Sequence, residues 1–208
     1  MSSNQLPFEY AIDYFGLCSL APELGTQGLI DFLREHLPIQ WRKVYAKTTS
    51  HVTNIVKVQR GTFEYLCDVY SGLEALGEVP FDQRIKDRVI GVLGISASRR
   101  RTRRGSFPNG WLELPEELGD CSRDKGHFIA HCIGGGLDVN IFSQHRDLNR
   151  GFSERGKIFR QMEMHCYANP GTFCFSRPVY PDESSVPRWI EFGLVMQDSS
   201  LWIEVFEN

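Results

Sequence analysis

The 208-residue sequence has no CxxC pair, no internal repeat and no apolar run near the ~20 residues that a bilayer-crossing helix needs. A membrane partner is therefore not expected. Its six cysteines (Cys18, Cys67, Cys121, Cys132, Cys166 and Cys174) are scattered, whereas disulfide-stapled domains are shorter and more densely bridged. They read as reduced, buried small hydrophobes in a reducing compartment. Residues Met1 to Asp13 lack a basic stretch followed by an apolar one, so no secretory leader is expected. The expectation is a cytoplasmic protein where it is made, with delivery by a machine that ignores such leaders left open. Strong charge of one sign is missing too. A formal net charge of −3 excludes attraction of nucleic acid by a global field, leaving a local basic patch and a bound cation as the available means.

What is present is ordinary globular composition, 41% hydrophobic and 24% charged, in a chain long enough for one large domain or two small ones. Apolar residues from Pro22 to His36 predict a short helix ended by Pro38. The β-rich segments Val52 to Val58 and Thr62 to Tyr70 flank Arg60-Gly61 and predict a hairpin, and Val89 to Ile95 predicts a buried strand. The stretch around Pro80 suggests a boundary, dividing an N-terminal α+β region of unassigned role (1–85) from a second unit (86–208). One domain with an embellished first part fits the same pattern. Residues 99–104 place five arginines in six positions, followed by a loop by composition. Leu148, Phe152, Phe159, Met162 and Cys166 fall within about ±40° of one direction at ~100° per residue, which predicts one helix capped by Asp147 and stopped at Asn169-Pro170-Gly171. Three strands follow, over 172–180, 189–196 and 201–206. The expected class is α+β with a short antiparallel sheet.

Four of the six histidines (His127, His131, His145 and His165) lie within 39 residues, beside Asp124, Asp138, Asn140, Gln144, Asn149 and Arg160. His127, between a glycine and an apolar segment, is suited to a general base: one ring nitrogen held by the backbone, the other presented outward. Asn149, Ser153, Gly156 and Arg160 share a helical shoulder in which a glycine leaves room for a phosphate and a hydrated cation. A neutral amide ligand leaves the charge of Mg²⁺ uncompensated and its Lewis acidity high.

Asp124-Lys125-Gly126-His127, followed by Asn140, Gln144 and Leu148-Asn149, resembles the D-R-G-H … N-x-x-x-Q-x-x-x-L-N pattern of the non-specific DNA/RNA endonucleases, members of the ββα-metal (His-Me finger) superfamily. The nine-residue step from Asn140 to Asn149 matches the family spacing, and the likeness extends over 89–208. The resemblance implies a ββα-metal motif in which His127 activates water and Asn149 ligates one Mg²⁺ (or Mn²⁺). It further implies that Asn140 supports the site near the base and the metal water, that Arg160 stabilises the pentavalent phosphate, and that 5′-phosphate ends result. Lys125 replaces the usual arginine, keeping its charge but not its bidentate geometry. The glutamate often found one turn before the helix arginine falls here near Gly156 or Lys157, with Glu154 and Glu163 nearby. The arginine run, Arg101, Arg103 and Arg104 among it, fits a substrate-gripping loop. An active nuclease without a leader further suggests a toxin, effector or defence enzyme held in check by an immunity protein.

Blander readings stand beside this one. A non-catalytic nucleic-acid-binding module would keep the arginine run. A zinc-stabilised interaction domain would use His131, Cys132, His165 and Cys166, whose spacing matches no common structural zinc pattern. Trp189 and Trp202 are expected in the core.

Overall fold

The computed structural model of the chain describes residues 6–21, 25–82, 84–98 and 122–208. Its organising element is the apolar run near residue 90, a strand at Arg88–Ile95 buried at seven of eight positions, which only a strand covered on both faces allows. In chain order the strands are β1 (Ile55–Arg60), β2 (Phe63–Asp68), β3 (Arg88–Ile95), β4 (Arg123–His127), β5 (Ile141–His145), β6 (Phe173–Val179), β7 (Trp189–Val195) and β8 (Leu201–Glu207). Six of them form one antiparallel sheet in the order β1-β2-β3-β6-β7-β8, and β4 and β5 form a separate hairpin inserted between β3 and β6. The class is α+β, as expected.

The sheet runs across the 85/86 position. β2 pairs with β3 from Phe63 opposite Gly94 to Asp68 opposite Arg88, so residues on both sides of Pro80 contribute to one layer. The composition shift there marks the connection from helix α3 (Tyr70–Ala75) into β3.

One face of the sheet is covered by α1 (Tyr14–Cys18) and α2 (Gly25–Thr48). Pro38, expected to end α2, lies inside it. The helix continues because Leu33, Leu37 and Trp41, on either side of the proline, are wholly buried against the sheet, and that burial outweighs one lost backbone hydrogen bond. Trp41 lies against Gly91 of β3, where a Cβ would come within 2.2 Å of the indole. Among the described residues Trp41 is the fully buried tryptophan; Trp189 and Trp202 are half-buried. No helix among the described residues is long and apolar enough to cross a membrane.

The other face carries the inserted hairpin and helix α5 (Glu154–Ala168). Phe159, Met162 and Cys166 of α5 are buried against the sheet, with the Phe159 ring edge-on to Phe206 at 5.1 Å. The single helix expected over 148–166 is in fact two. Gly151, at φ +70°, ends α4 (Arg146–Arg150) in the left-handed conformation, and Ser153 Oγ starts α5 by accepting from Gly156 N at 3.0 Å. The break resets the helical phase, so Phe152 leaves the apolar stripe and is 64% exposed. The cap of α4 is His145, not Asp147: its Nδ1 accepts from Asp147 N at 3.3 Å.

Candidate active site

The β4–β5 hairpin sets Asp124 opposite Gln144, Gly126 opposite Phe142 and His127 opposite Ile141. A Cβ on Gly126 would come within 2.2 Å of Gln144 Oε1, so only glycine lets this strand lie against its partner. His127 ends β4. The chain beyond it is fixed by Asn140, whose backbone carbonyl accepts from Phe128 N (3.0 Å) and whose Oδ1 accepts from Ile129 N (2.9 Å). Asn140 Nδ2 donates to the carbonyls of Ile129 (2.7 Å) and Gly136 (2.9 Å).

Asn140 thus makes hydrogen bonds near His127, as expected, and makes them to backbone groups. It is fully buried, its amide is spent on backbone groups, and it does not line the cleft described below. It is a positioning residue that holds the segment leaving His127.

The hairpin, α4 and α5 enclose an open cleft of about 660 Å³. His127, Asn149, Arg160 and Lys125, four of the residues singled out from sequence, line it together. They do so without the continuous helical shoulder that spacing suggested. Gly156 leaves no space for a ligand; it lets α5 start against α4, since a Cβ there would meet the Asp147 carbonyl at 2.3 Å. Arg160 reaches the cleft across the break instead, its Nη1 donating to the Arg150 carbonyl at 3.2 Å. Arg101, Arg103 and Arg104 lie outside the described residues.

Four further polar side chains line the cleft. Asp124 accepts from Arg150 Nε (2.6 Å) and Nη2 (2.9 Å), from Asn149 Nδ2 (3.3 Å) and from Arg146 Nε (3.4 Å). The Arg150 guanidinium foremost holds the Asp124 carboxyl below the usual carboxylate range, against the opposing effect of burial. Glu163, on α5, behaves oppositely: burial pushes its carboxyl up to about 7, and Arg160 opposes this only in part. His131 Nδ1 donates to the Gly135 carbonyl at 3.1 Å, which leaves Nε2 as the acceptor of the neutral ring. Asp124 stood inside the recognised motif and Arg150 beside Asn149, but spacing alone does not show that the two side chains meet. Glu163 is brought to the cleft by the helix break, which the apolar periodicity conceals.

The Asn149 amide donates through Nδ2 to Asp124, so a carboxamide and an ionised carboxylate, each carrying hard oxygen donors, are neighbours in a solvent-open cleft. That suits Mg²⁺ or Mn²⁺, which retain waters and favour oxygen ligands. Among the described residues no group of three or more His, Cys, Asp or Glu side chains is arranged to hold a metal. A closed zinc site thus finds no support there, and an ion held through Asn149 and Asp124 would be largely hydrated.

No protein-family model matches the chain, and no curated protein matches it. Among solved structures it is similar to NucA from Streptococcus agalactiae, determined without metal and with a magnesium ion bound; each has 14% identity and a TM-score of 0.40, over 77% of this chain and 73% of that one. It is also similar to Sda1 nuclease with a bound zinc ion, at 16% identity and a TM-score of 0.37, over 80% of this chain and 81% of that one.

Proposed function

We propose that the protein is a divalent-cation-dependent endonuclease that hydrolyses phosphodiester bonds of DNA or RNA with little sequence preference. The observation that supports it is the convergence of His127, Asn149, Asp124, Arg160 and Glu163 on one open cleft. Asn149 and Asp124 would hold Mg²⁺ or Mn²⁺, which when bound supplies positive charge to a non-bridging phosphate oxygen and to the leaving oxygen. His127 takes the proton of the attacking water. Arg160 and Lys125 neutralise charge growing on the phosphate, and Glu163 stands in for the family glutamate by orienting water. Asn140 acts through His127 by fixing the backbone that follows it. Arg101, Arg103 and Arg104 add phosphate contacts. Such contacts carry no sequence information, which is why little preference is expected, with 5′-phosphate products.

The test is nicking of a supercoiled plasmid. Cleavage with Mg²⁺, and none with EDTA or in His127→Ala, supports the proposal. Binding without cleavage in any condition supports a non-catalytic nucleic-acid-binding module, and stoichiometric zinc in the purified protein supports an interaction domain. We extend the proposal to a toxin, effector or defence nuclease, made in the cytoplasm and restrained by an immunity protein or by delivery elsewhere. Normal yield of the active wild type in a host lacking any partner would count against that extension.

A further inference from the structure

Arg150 makes the shortest contacts to Asp124 in the cleft, a two-pronged interaction through Nε at 2.6 Å and Nη2 at 2.9 Å. Its guanidinium remains half in solvent, with 49% of the side chain exposed, whereas the Asp124 side chain is only 15% exposed. Among the described residues nothing else pins the Arg150 side chain in this pose: the hydrogen bond that it accepts from Arg160 falls on its backbone carbonyl. The carboxylate therefore already has a cation, supplied by the chain, on the oxygens that would face a divalent ion. Asn149, the neighbouring residue on α4, donates to the same carboxylate, so the two candidate ligands and the guanidinium crowd one point.

A carboxylate cannot give both oxygens to a bidentate arginine and also offer one to a hydrated divalent ion without loss. Were an ion held there, Arg150 would lose its partner while still lining the cleft. We propose that Arg150 is an exchangeable counter-ion of the site: it occupies Asp124 while no divalent cation is held, and when one is held it turns to a phosphate oxygen of the nucleic-acid substrate. This rests on the reading of Asn149 and Asp124 as the cation-holding pair. It makes Arg150 a substrate-binding residue whose contribution exists only when the cation does, because the two ligands are coupled through one carboxylate.

The experiment uses the full chain carrying His127→Ala, so that DNA is bound and not cut, with and without Arg150→Gln. Mn²⁺ binding is followed by electron paramagnetic resonance, and binding of a short fluorescein-labelled single-stranded DNA by polarisation. Removing an exposed competing ion pair should tighten Mn²⁺ binding by about 3- to 5-fold. With saturating Mn²⁺, Arg150→Gln should weaken DNA binding and reduce its logarithmic salt slope by about one. In EDTA the same substitution should leave DNA affinity unchanged. Arg84→Gln, which removes an arginine paired locally with Asp82, controls for net charge and should alter neither measurement. Unchanged Mn²⁺ affinity in Arg150→Gln, or an equal loss of DNA affinity with and without Mn²⁺, would overturn the exchange while leaving the nuclease reading intact. Absence of Mn²⁺ binding in the parent chain would overturn both.

Discussion

Replacing Glu163 by glutamine tests whether α5 brings a protonated carboxyl to the cleft at neutral pH. Burial raises this carboxyl from 4.5 to about 7, with Arg160 in partial opposition. A carboxyl whose folded pKa exceeds its unfolded value favours the folded state fully below the unfolded pKa, near 4.5, and that contribution is lost as pH rises through about 7. At ~1.4 kcal/mol per pH unit the full displacement corresponds to about 3 kcal/mol. The side chain is only half-buried, so screening by water reduces the expected effect to about 2 kcal/mol. Glutamine has the shape of the neutral acid and cannot ionise. Urea unfolding of both proteins should therefore give equal stability near pH 3.5, with Glu163→Gln more stable by about 2 kcal/mol near pH 8.5, a rise in Tm of about 4–8 °C. Added Mg²⁺ should narrow the gap, because a nearby cation favours the ionised wild-type carboxylate. Parallel stability curves from pH 3.5 to pH 8.5, or a variant less stable at the alkaline end, would refute the reasoning. The latter outcome would mean that Arg160 outweighs burial and keeps Glu163 charged.

Three other substitutions probe how the site is held. Asn140→Ala should cost about 3–5 kcal/mol in urea unfolding, because it strips partners from buried backbone groups of Ile129 and Gly136, and cleavage should fall with it. Gly156→Ala drives a methyl to within 2.3 Å of the Asp147 carbonyl and should lower Tm while reducing cleavage at saturating Mg²⁺, read together by calorimetry and plasmid nicking. Asn208→Ala removes an amide that accepts from His145 N (2.8 Å) and donates to the Ser143 carbonyl (3.0 Å); amide hydrogen exchange should quicken in β5 before the six-stranded sheet responds.

Period-two and period-3.6 patterns expose the large elements well. β3, β6 and β7 stand where apolar runs and turn residues put them, since strands packed inside a sheet carry the signal in every residue, and β8, at the sheet edge, is marked by the turn that precedes it. The helix over 148–166 shows where such patterns fail. Its apolar residues keep nearly constant phase, yet Gly151 adopts a positive φ and Ser153 caps a new start, a local choice that a face-averaged periodicity does not register. Pro38 misleads in the opposite direction, because the tertiary burial of Leu33, Leu37 and Trp41 is invisible to a local rule. In the site, His127 and Asn149 are found from residue type and spacing. Asp124, Arg150 and Glu163 depend on which side chains meet across the hairpin and the helix break, and that is a property of packing. Asn140 divides the two cases. Its spacing puts it in the right neighbourhood, but its amide turns inward to the backbone, a direction that spacing does not encode.

The cleft owes its shape to how the hairpin is seated on the rest of the protein. β4 and β5 share no ladder with the six-stranded sheet, so the placement of His127 and Asp124 relative to α5 rests on a few specific links. Asn208, just beyond β8, bonds the backbone of Ser143 and His145. Ala97 N donates to the Ile133 carbonyl just beyond β3. Phe128 stacks on Phe142 at 4.3 Å between ring centroids, at the end of the hairpin that carries His127. Beneath these, α5 is anchored by Phe159, Met162 and Cys166 in the same apolar cluster as Phe128 and Phe142. Asp124 and His127 are thus carried on the hairpin side of the cleft, and Arg160 and Glu163 on α5. Asp124 of the hairpin is already joined to α4 through Arg146, Asn149 and Arg150, so a cation held by Asp124 and Asn149 would replace links that the chain makes for itself.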